Sequence, residues 1–178
     1  MNFANKITTL RILLTPFFIS LILYGKFNLA LIVFIIAVIS DAVDGYLARK
    51  HNQWTKLGSM IDPIADKIVI ISAFVCLTFV KDLPFKVKFP PYIPIIVISR
   101  DIIILLGAIL IYIMKGSLEV KPTISGKVTT FFQMLTVIFV LMQLGYSKIV
   151  WNITAALTVI SGIEYVVKGS KALNGKTE

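Results

Sequence analysis

Long apolar runs, separated by short polar or turn-rich breaks, dominate the 178-residue chain. A helix needs about 20 apolar residues to cross a bilayer core of roughly 30 Å. Six stretches meet that requirement, at approximately 7–24, 28–48, 63–80, 92–114, 129–145 and 149–167. Their separators are Gly25-Lys26, a polar loop between 48 and 63, a Pro-rich stretch from Lys81 to Pro94, Lys115 to Lys127, and Gly145 to Lys148. Backbone polar groups at bilayer depth must be paired within the spanning structure. No period-2 alternation of the kind a barrel requires is present. The pattern predicts an all-α integral membrane protein with six transmembrane helices, forming one domain over residues 1–178.

Composition agrees with that pattern. The chain is 57% hydrophobic and 15% charged, with a mean hydropathy of +0.90, too apolar for a domain with a solvated surface. The single cysteine, Cys76 in ISAFVCLTFV, excludes an internal disulfide and reads as a small apolar packing residue. A net charge of +9 raises the question of nucleic acid. The basic residues, however, gather at the ends of apolar runs instead of interleaving with aromatics. Lipid headgroups or an anionic substrate account for them better than nucleic acid does. The first run resembles a signal peptide, but Arg11 and Pro16 interrupt it and no A-x-A-like cleavage site follows. It is read as a retained first span.

Lys and Arg in short loops set the orientation. With the N-terminus inside, the inner flanks hold twelve: Lys6, Arg11, Arg49, Lys50, Lys56, Lys67, Lys115, Lys121, Lys127, Lys168, Lys171 and Lys176. The outer flanks hold five: Lys26, Lys81, Lys86, Lys88 and Lys148. Twelve against five predicts that both termini are cytoplasmic, although Lys81, Lys86 and Lys88 run against the rule.

Against this background one stretch is anomalous. SDAVDGYLARKHNQWTKLGSMIDPIADK, residues 40 to 67, brings Asp41, Asp44, Asp62 and Asp66 to the predicted cytoplasmic ends of the second and third spans. Spacings of three and four place each pair on one helix face, and helices joined by a short loop tend to be neighbours. Four converging carboxylates repel one another and lose hydration, so either some are protonated or cations hold them together. An all-carboxylate donor set selects hard divalent ions such as Mg²⁺ or Mn²⁺. Two such ions would form a clamp for displacement at phosphorus. Gly45, Ala48 and Gly58 lack bulk and permit close approach of a phosphorylated group, and Arg49 offers a donor fork suited to phosphate. Gly45 or Ala48 alone would equally serve close helix packing. A lone aspartate could simply pair with Lys67 or Arg49. Four aspartates at these spacings are costly in a span and point to function.

The stretch spells D41-x2-D44-G45-x2-A48-R49-x8-G58-x3-D62-x3-D66. It resembles, at every position, the signature of the CDP-alcohol phosphatidyltransferase family, and the six-span layout extends the resemblance over essentially the whole chain. The resemblance implies a multi-pass enzyme of the cell (inner) membrane, an intimate partner of membrane lipids, with its active site facing the cytoplasm, typically a homodimer. Such an enzyme transfers a phosphatidyl or related group from a CDP-linked lipid to an alcohol and releases CMP. By position, Asp41, Asp44, Asp62 and Asp66 would hold two divalent ions, Mg²⁺ or Mn²⁺, and Asp66 would also be the catalytic general base. Asp44, Gly45, Ala48, Arg49, Gly58 and Asp62 would form the CDP-binding site.

The acceptor has to be read outside the motif. Arg11 and Arg100 lie in or near spans, where a cation is expensive without an anion, and Lys121 and Lys127 fall on the same predicted side. This basic set suits an acceptor that carries its own phosphate, such as glycerol 3-phosphate. The plainer alternative pairs Arg100 with Asp101 or Asp41 and leaves the lysines to lipid headgroups. N5-x-I-T-x-x-R11, S125-G126-K127 and the closing SGIEYVVKG resemble the phosphatidylglycerophosphate-forming branch of the family. ISRD at 98–101 and KPTISGK at 121–127 are closer to the cardiolipin synthase branch, whose acceptor is phosphatidylglycerol. The expected activity is transfer of the phosphatidyl group from CDP-diacylglycerol to glycerol 3-phosphate, with the cardiolipin-forming reaction as the alternative. A cation-coupled transporter is the non-enzyme rival, but no second copy of the motif supports repeated halves. His51 reads as a loop residue, and Trp54, Trp151 and Tyr146 as interfacial anchors.

Overall fold

In the computed structural model the backbone is described over residues 3–51, 56–80, 88–115 and 123–173, and the side chains over 11–40, 67–80, 88–111, 113–114 and 123–171. Six α-helices account for nearly all of it: α1 (Phe3–Leu23), α2 (Phe27–His51), α3 (Lys56–Phe79), α4 (Tyr92–Lys115), α5 (Ile124–Leu141) and α6 (Ser147–Leu173). No strand occurs among the described residues. Three helices contain segments long and apolar enough to cross a membrane, namely Tyr92–Ile111, Ile124–Leu141 and Ser147–Lys171. Arg11–Leu23, Phe27–Ser40 and Lys67–Phe79 are shorter apolar helical segments. Isoleucines such as Ile95, Ile102, Ile109, Ile160 and Ile163 project outward from α4 and α6. An apolar exterior of this kind belongs to a membrane protein, whose surroundings do not penalise it.

Packing follows a simple plan. α1 lies against both α2 and α3, while α6 lies against both α4 and α5. The two groups meet through α3 with α4 and through α5 with α2 and α3, and α2 and α3 touch each other only sparsely among the described residues. One continuous core ties them together, drawing Phe18 and Ile22 from α1, Phe34 and Ala37 from α2, Ile70 and Phe74 from α3, Val97 from α4 and Val137 and Val140 from α5. Phe18 and Phe34 meet with ring centroids 5.8 Å apart. Phe89 lies between Phe74, at 4.9 Å, and Trp151, at 5.9 Å. Trp151 is therefore a core residue, only 6% exposed, and not the interfacial anchor its position near a span end suggests. Tyr146, 73% exposed, is free to serve as one.

The helix ends depart from the hydropathy boundaries in instructive ways. α2 continues through Arg49 to His51, and α3 begins at Lys56, so both flanks of the expected loop are helical. Hydropathy sees the polar motif as a break. The helix hydrogen-bond ladder has no such requirement, and Pro63 is accommodated within α3 as Pro16 is within α1. α5 starts at Ile124 because Thr123 is its N-cap, with the side-chain oxygen accepting from the Gly126 amide at 3.1 Å. It ends at Leu141, short of the apolar run's end, with Gln143 in the left-handed region at φ 54°.

Candidate functional site

Asp41, Asp44, Gly45, Ala48 and Arg49 lie on α2, and Gly58, Asp62 and Asp66 lie on α3. Their side chains fall outside the described residues, as do Trp54 and Lys121 entirely. Backbone register nevertheless relates the two pairs. Ala37 and Ile70 are each 2% exposed and belong to the same core cluster. Asp41 follows Ala37 by one helical turn, and Asp66 precedes Ile70 by one. Each position is therefore one turn from a core residue, on helices that α1 bridges. Four carboxylates and no softer donor make a set suited to hard divalent cations. Among the described residues no group of three His, Cys, Asp or Glu side chains offers another metal site.

A described polar network sits at the neighbouring position on α3. The Nζ of Lys67, adjacent in sequence to Asp66, lies 3.0 Å from one carboxylate oxygen of Asp101 and 3.1 Å from the other. Arg100 donates from Nη1 to Asp101 at 2.8 Å and from Nη2 to Ser161 Oγ at 2.7 Å. Its guanidinium carbon stands 5.5 Å from the Tyr165 ring centroid, within cation–π reach. The plainer sequence alternative, pairing of Arg100 with Asp101, is the arrangement present. Both partners are buried, at 7% and 6% side-chain exposure. Two cations share one carboxylate, so this cluster retains a net positive charge next to the motif helix. Arg11, 3% exposed, lies on α1, the helix that packs against both motif helices.

The S125-G126-K127 segment forms the first turn of α5. Ser125 donates to a Glu164 oxygen, whose other oxygen takes Lys168 Nζ at 2.6 Å. The Thr123 amide donates to Tyr165 Oη at 3.3 Å. A Cβ at Gly126 would stand 3.1 Å from both Tyr165 and Thr123 Oγ1, so glycine allows α5 and α6 to close here. Lys127 is exposed and outside this knot. The serine and glycine thus have packing roles that the sequence pattern alone does not reveal.

Sequence reasoning misses several contributors. Along the chain Lys67 reads as a neighbour of Asp66 and not as the partner of Asp101, while Ser161, Tyr165 and Glu164 stand out only as parts of a resemblance. Gln133 draws no notice there. The signal that finds it is a polar side chain within an apolar run. It is fully buried on α5, and neither its Oε1 nor its Nε2 has a hydrogen-bond partner among the described residues.

Comparison with known proteins gives a consistent result. A family model described as CDP-alcohol phosphatidyltransferase matches residues 1–160. A CDP-diacylglycerol–glycerol-3-phosphate 3-phosphatidyltransferase of Haemophilus influenzae is 35% identical, with 95% of each chain covered. An enzyme of the same name from Bacillus subtilis is 31% identical, with 97% of each chain covered. The human cardiolipin synthase (CMP-forming) is 31% identical over 95% of this chain and 62% of its own length.

Proposed function

This chain belongs to the CDP-alcohol phosphatidyltransferase family, and from that membership we propose that it transfers the phosphatidyl group of CDP-diacylglycerol to glycerol 3-phosphate. The products are phosphatidylglycerophosphate and CMP. The observation that carries the reading is the near full-length similarity to enzymes named for that reaction. The complete D41-to-D66 motif on α2 and α3 supports it.

Asp41, Asp44, Asp62 and Asp66 would hold the divalent ions, Mg²⁺ or Mn²⁺, two in number. Bound there, such ions supply charge neutralisation and polarisation at the pyrophosphate. Gly45, Ala48 and Gly58 leave room for the nucleotide, and Arg49 supplies donors to its phosphates. Asp66 accepts the proton of the acceptor hydroxyl as its oxygen bonds to the phosphatidyl phosphorus. The bond from that phosphorus to the CMP oxygen breaks, and CMP leaves with the electron pair. Arg11 and the Lys67–Asp101–Arg100 cluster, with its surplus positive charge, provide the counter-charge for the acceptor phosphate. Lys121 and Lys127 contribute at longer range. The working protein is a homodimer of six-span chains, with both termini and the aspartates on the cytoplasmic side of the cell membrane.

A second reading is supported by the human cardiolipin synthase match and by the ISRD segment: phosphatidylglycerol as acceptor, giving cardiolipin. Purified protein given CDP-diacylglycerol and Mg²⁺ or Mn²⁺ tests both. CMP release that requires glycerol 3-phosphate supports the first, release that requires phosphatidylglycerol supports the second, and no release with either overturns the assignment.

A further inference from the structure

Three segments far apart in the chain meet at one side chain. Arg100, from ISRD, stands with its guanidinium carbon 5.5 Å from the Tyr165 ring centroid and over the ring face. Thr123, from KPTISGK, donates its amide to Tyr165 Oη at 3.3 Å. Gly126, in the first turn of α5, has no Cβ, and one there would stand 3.1 Å from Tyr165. Tyr165 itself belongs to SGIEYVVKG, in which Ser161 accepts from Arg100 Nη2 at 2.7 Å. Positions 161 and 165 share one face of α6. Beside them the Arg100 stem runs over Gly162, where a Cβ would lie 3.4 Å from Arg100 Cγ. α6 therefore holds Arg100 by its stem, by one donor and by its face.

The donors left over give this hold a purpose. Arg100 donates from Nη1 to Asp101 at 2.8 Å and from Nη2 to Ser161. Its Nε is buried and has no hydrogen-bond partner among the described residues. An unpartnered buried N–H is costly, the more so on a charged group, and the surplus positive charge of the cluster favours an anion there. Two in-plane anchors still let a planar cation tilt about the line that joins them, which would swing Nε out of line. A ring against the guanidinium face opposes that tilt, and its π density attracts the cation. The far end of the ring is tied in turn to Thr123, the N-cap residue of α5.

Resting on the proposed function, we propose that Tyr165 is a positioning residue for the acceptor phosphate: its ring sets the plane of the Arg100 guanidinium so that Nε donates to a phosphate oxygen. Tyr165 touches neither substrate and acts through Arg100. Glycerol 3-phosphate and phosphatidylglycerol both carry a phosphate, so the role is the same for either acceptor.

CMP release from CDP-diacylglycerol with Mg²⁺, at varied glycerol 3-phosphate, reads the effect. Tyr165→Leu raises the acceptor KM roughly 5- to 30-fold, the scale of a desolvated cation–π contact, and leaves the KM for CDP-diacylglycerol unchanged. In an Arg100→Ala background the same substitution adds nothing to the acceptor KM, because residues that act through one another are not additive. A tyrosine that only packs α5 on α6 would raise both KM values, or add its effect in that background. Either result overturns the inference, as does an unchanged acceptor KM in Tyr165→Leu. If the leucine variant does not fold, Tyr165→Phe is compared with trifluorophenylalanine at position 165. The two rings pack alike, but fluorine withdraws electron density from the ring face, so the acceptor KM rises from the first to the second. Equal values overturn the inference. If only phosphatidylglycerol supports release, its KM is read in the same variants with the same outcomes. Wild-type release with neither acceptor removes the proposed function and this inference with it, whereas normal release with an acceptor KM indifferent to position 165 removes this inference alone.

Discussion

Asp101 on α4 holds the Lys67 ammonium of α3 at 3.0 Å while taking Arg100 Nη1 at 2.8 Å. One carboxylate thus joins the helix that bears Asp62 and Asp66 to the helix that bears Arg100, and through Arg100 to Ser161 on α6. The pairing fixes the motif helix against the second half of the bundle at the level where the chemistry is proposed.

Removing that carboxylate leaves two cations facing each other. Asp101→Asn lowers unfolding stability by about 3 kcal/mol, the scale for breaking a buried pair from one side. Thermal unfolding in detergent reads this as a clear drop in Tm. An unchanged Tm means that the pair is not a structural tie.

Arg100→Ala has a different signature. Asp101 keeps Lys67 as a one-to-one partner, so the helices stay joined, but the cluster's surplus charge is gone. The acceptor KM rises roughly tenfold or more, the worth of one charge-assisted hydrogen bond, while the KM for CDP-diacylglycerol stays put. Equal effects on both substrates would place Arg100 outside the acceptor site.

The carboxylate chemistry is tested at Asp66 and by metal removal. Asp66→Asn abolishes CMP release yet retains CDP-diacylglycerol binding, as expected when the proton acceptor is gone and most of the nucleotide site remains. Chelation stops turnover of the wild-type protein, and Mg²⁺ or Mn²⁺ restores it. Turnover in the presence of chelator would remove the divalent ions from the reaction.

Gly126 tests the closure of α5 on α6. A single methyl gains about 1 kcal/mol of helix propensity over glycine, but it meets Tyr165 and Thr123 at 3.1 Å. Gly126→Ala is therefore close to neutral in Tm. Gly126→Val adds two further carbons to the same gap, loses the propensity gain and destabilises by about 1–3 kcal/mol. Valine tolerated as well as alanine would show that the helices are loosely closed here.

Thr154→Val measures an interhelical hydroxyl pair. Thr136 and Thr154 are 2.6 Å apart, but Thr136 also has the Phe132 carbonyl at 2.7 Å. The substitution leaves no orphan on Thr136, and the cost is about 0.6 kcal/mol, typical of such bonds in membrane bundles. A Tm change several times larger would reveal dependence on this pair that its geometry does not suggest.

Hydropathy alone determined that the chain is helical and apolar outside, and the aspartate spacing alone determined which chemistry to look for. Both are local properties: a run of apolar residues and a face shared at three or four positions need no partner to be recognised. Helix ends at the motif were not legible, because polarity marks a break in hydropathy but not in the hydrogen-bond ladder that carries α2 to His51 and starts α3 at Lys56. Trp151 and Gly126 changed meaning once packed, one as a core residue and the other as the gap that admits Tyr165. Only tertiary structure decided that Lys67 belongs to Asp101, and that Gln133 is sealed in the bundle without a partner among the described residues. Burial and pairing depend on residues far apart in the chain, and no periodicity along one helix records what another helix brings against it.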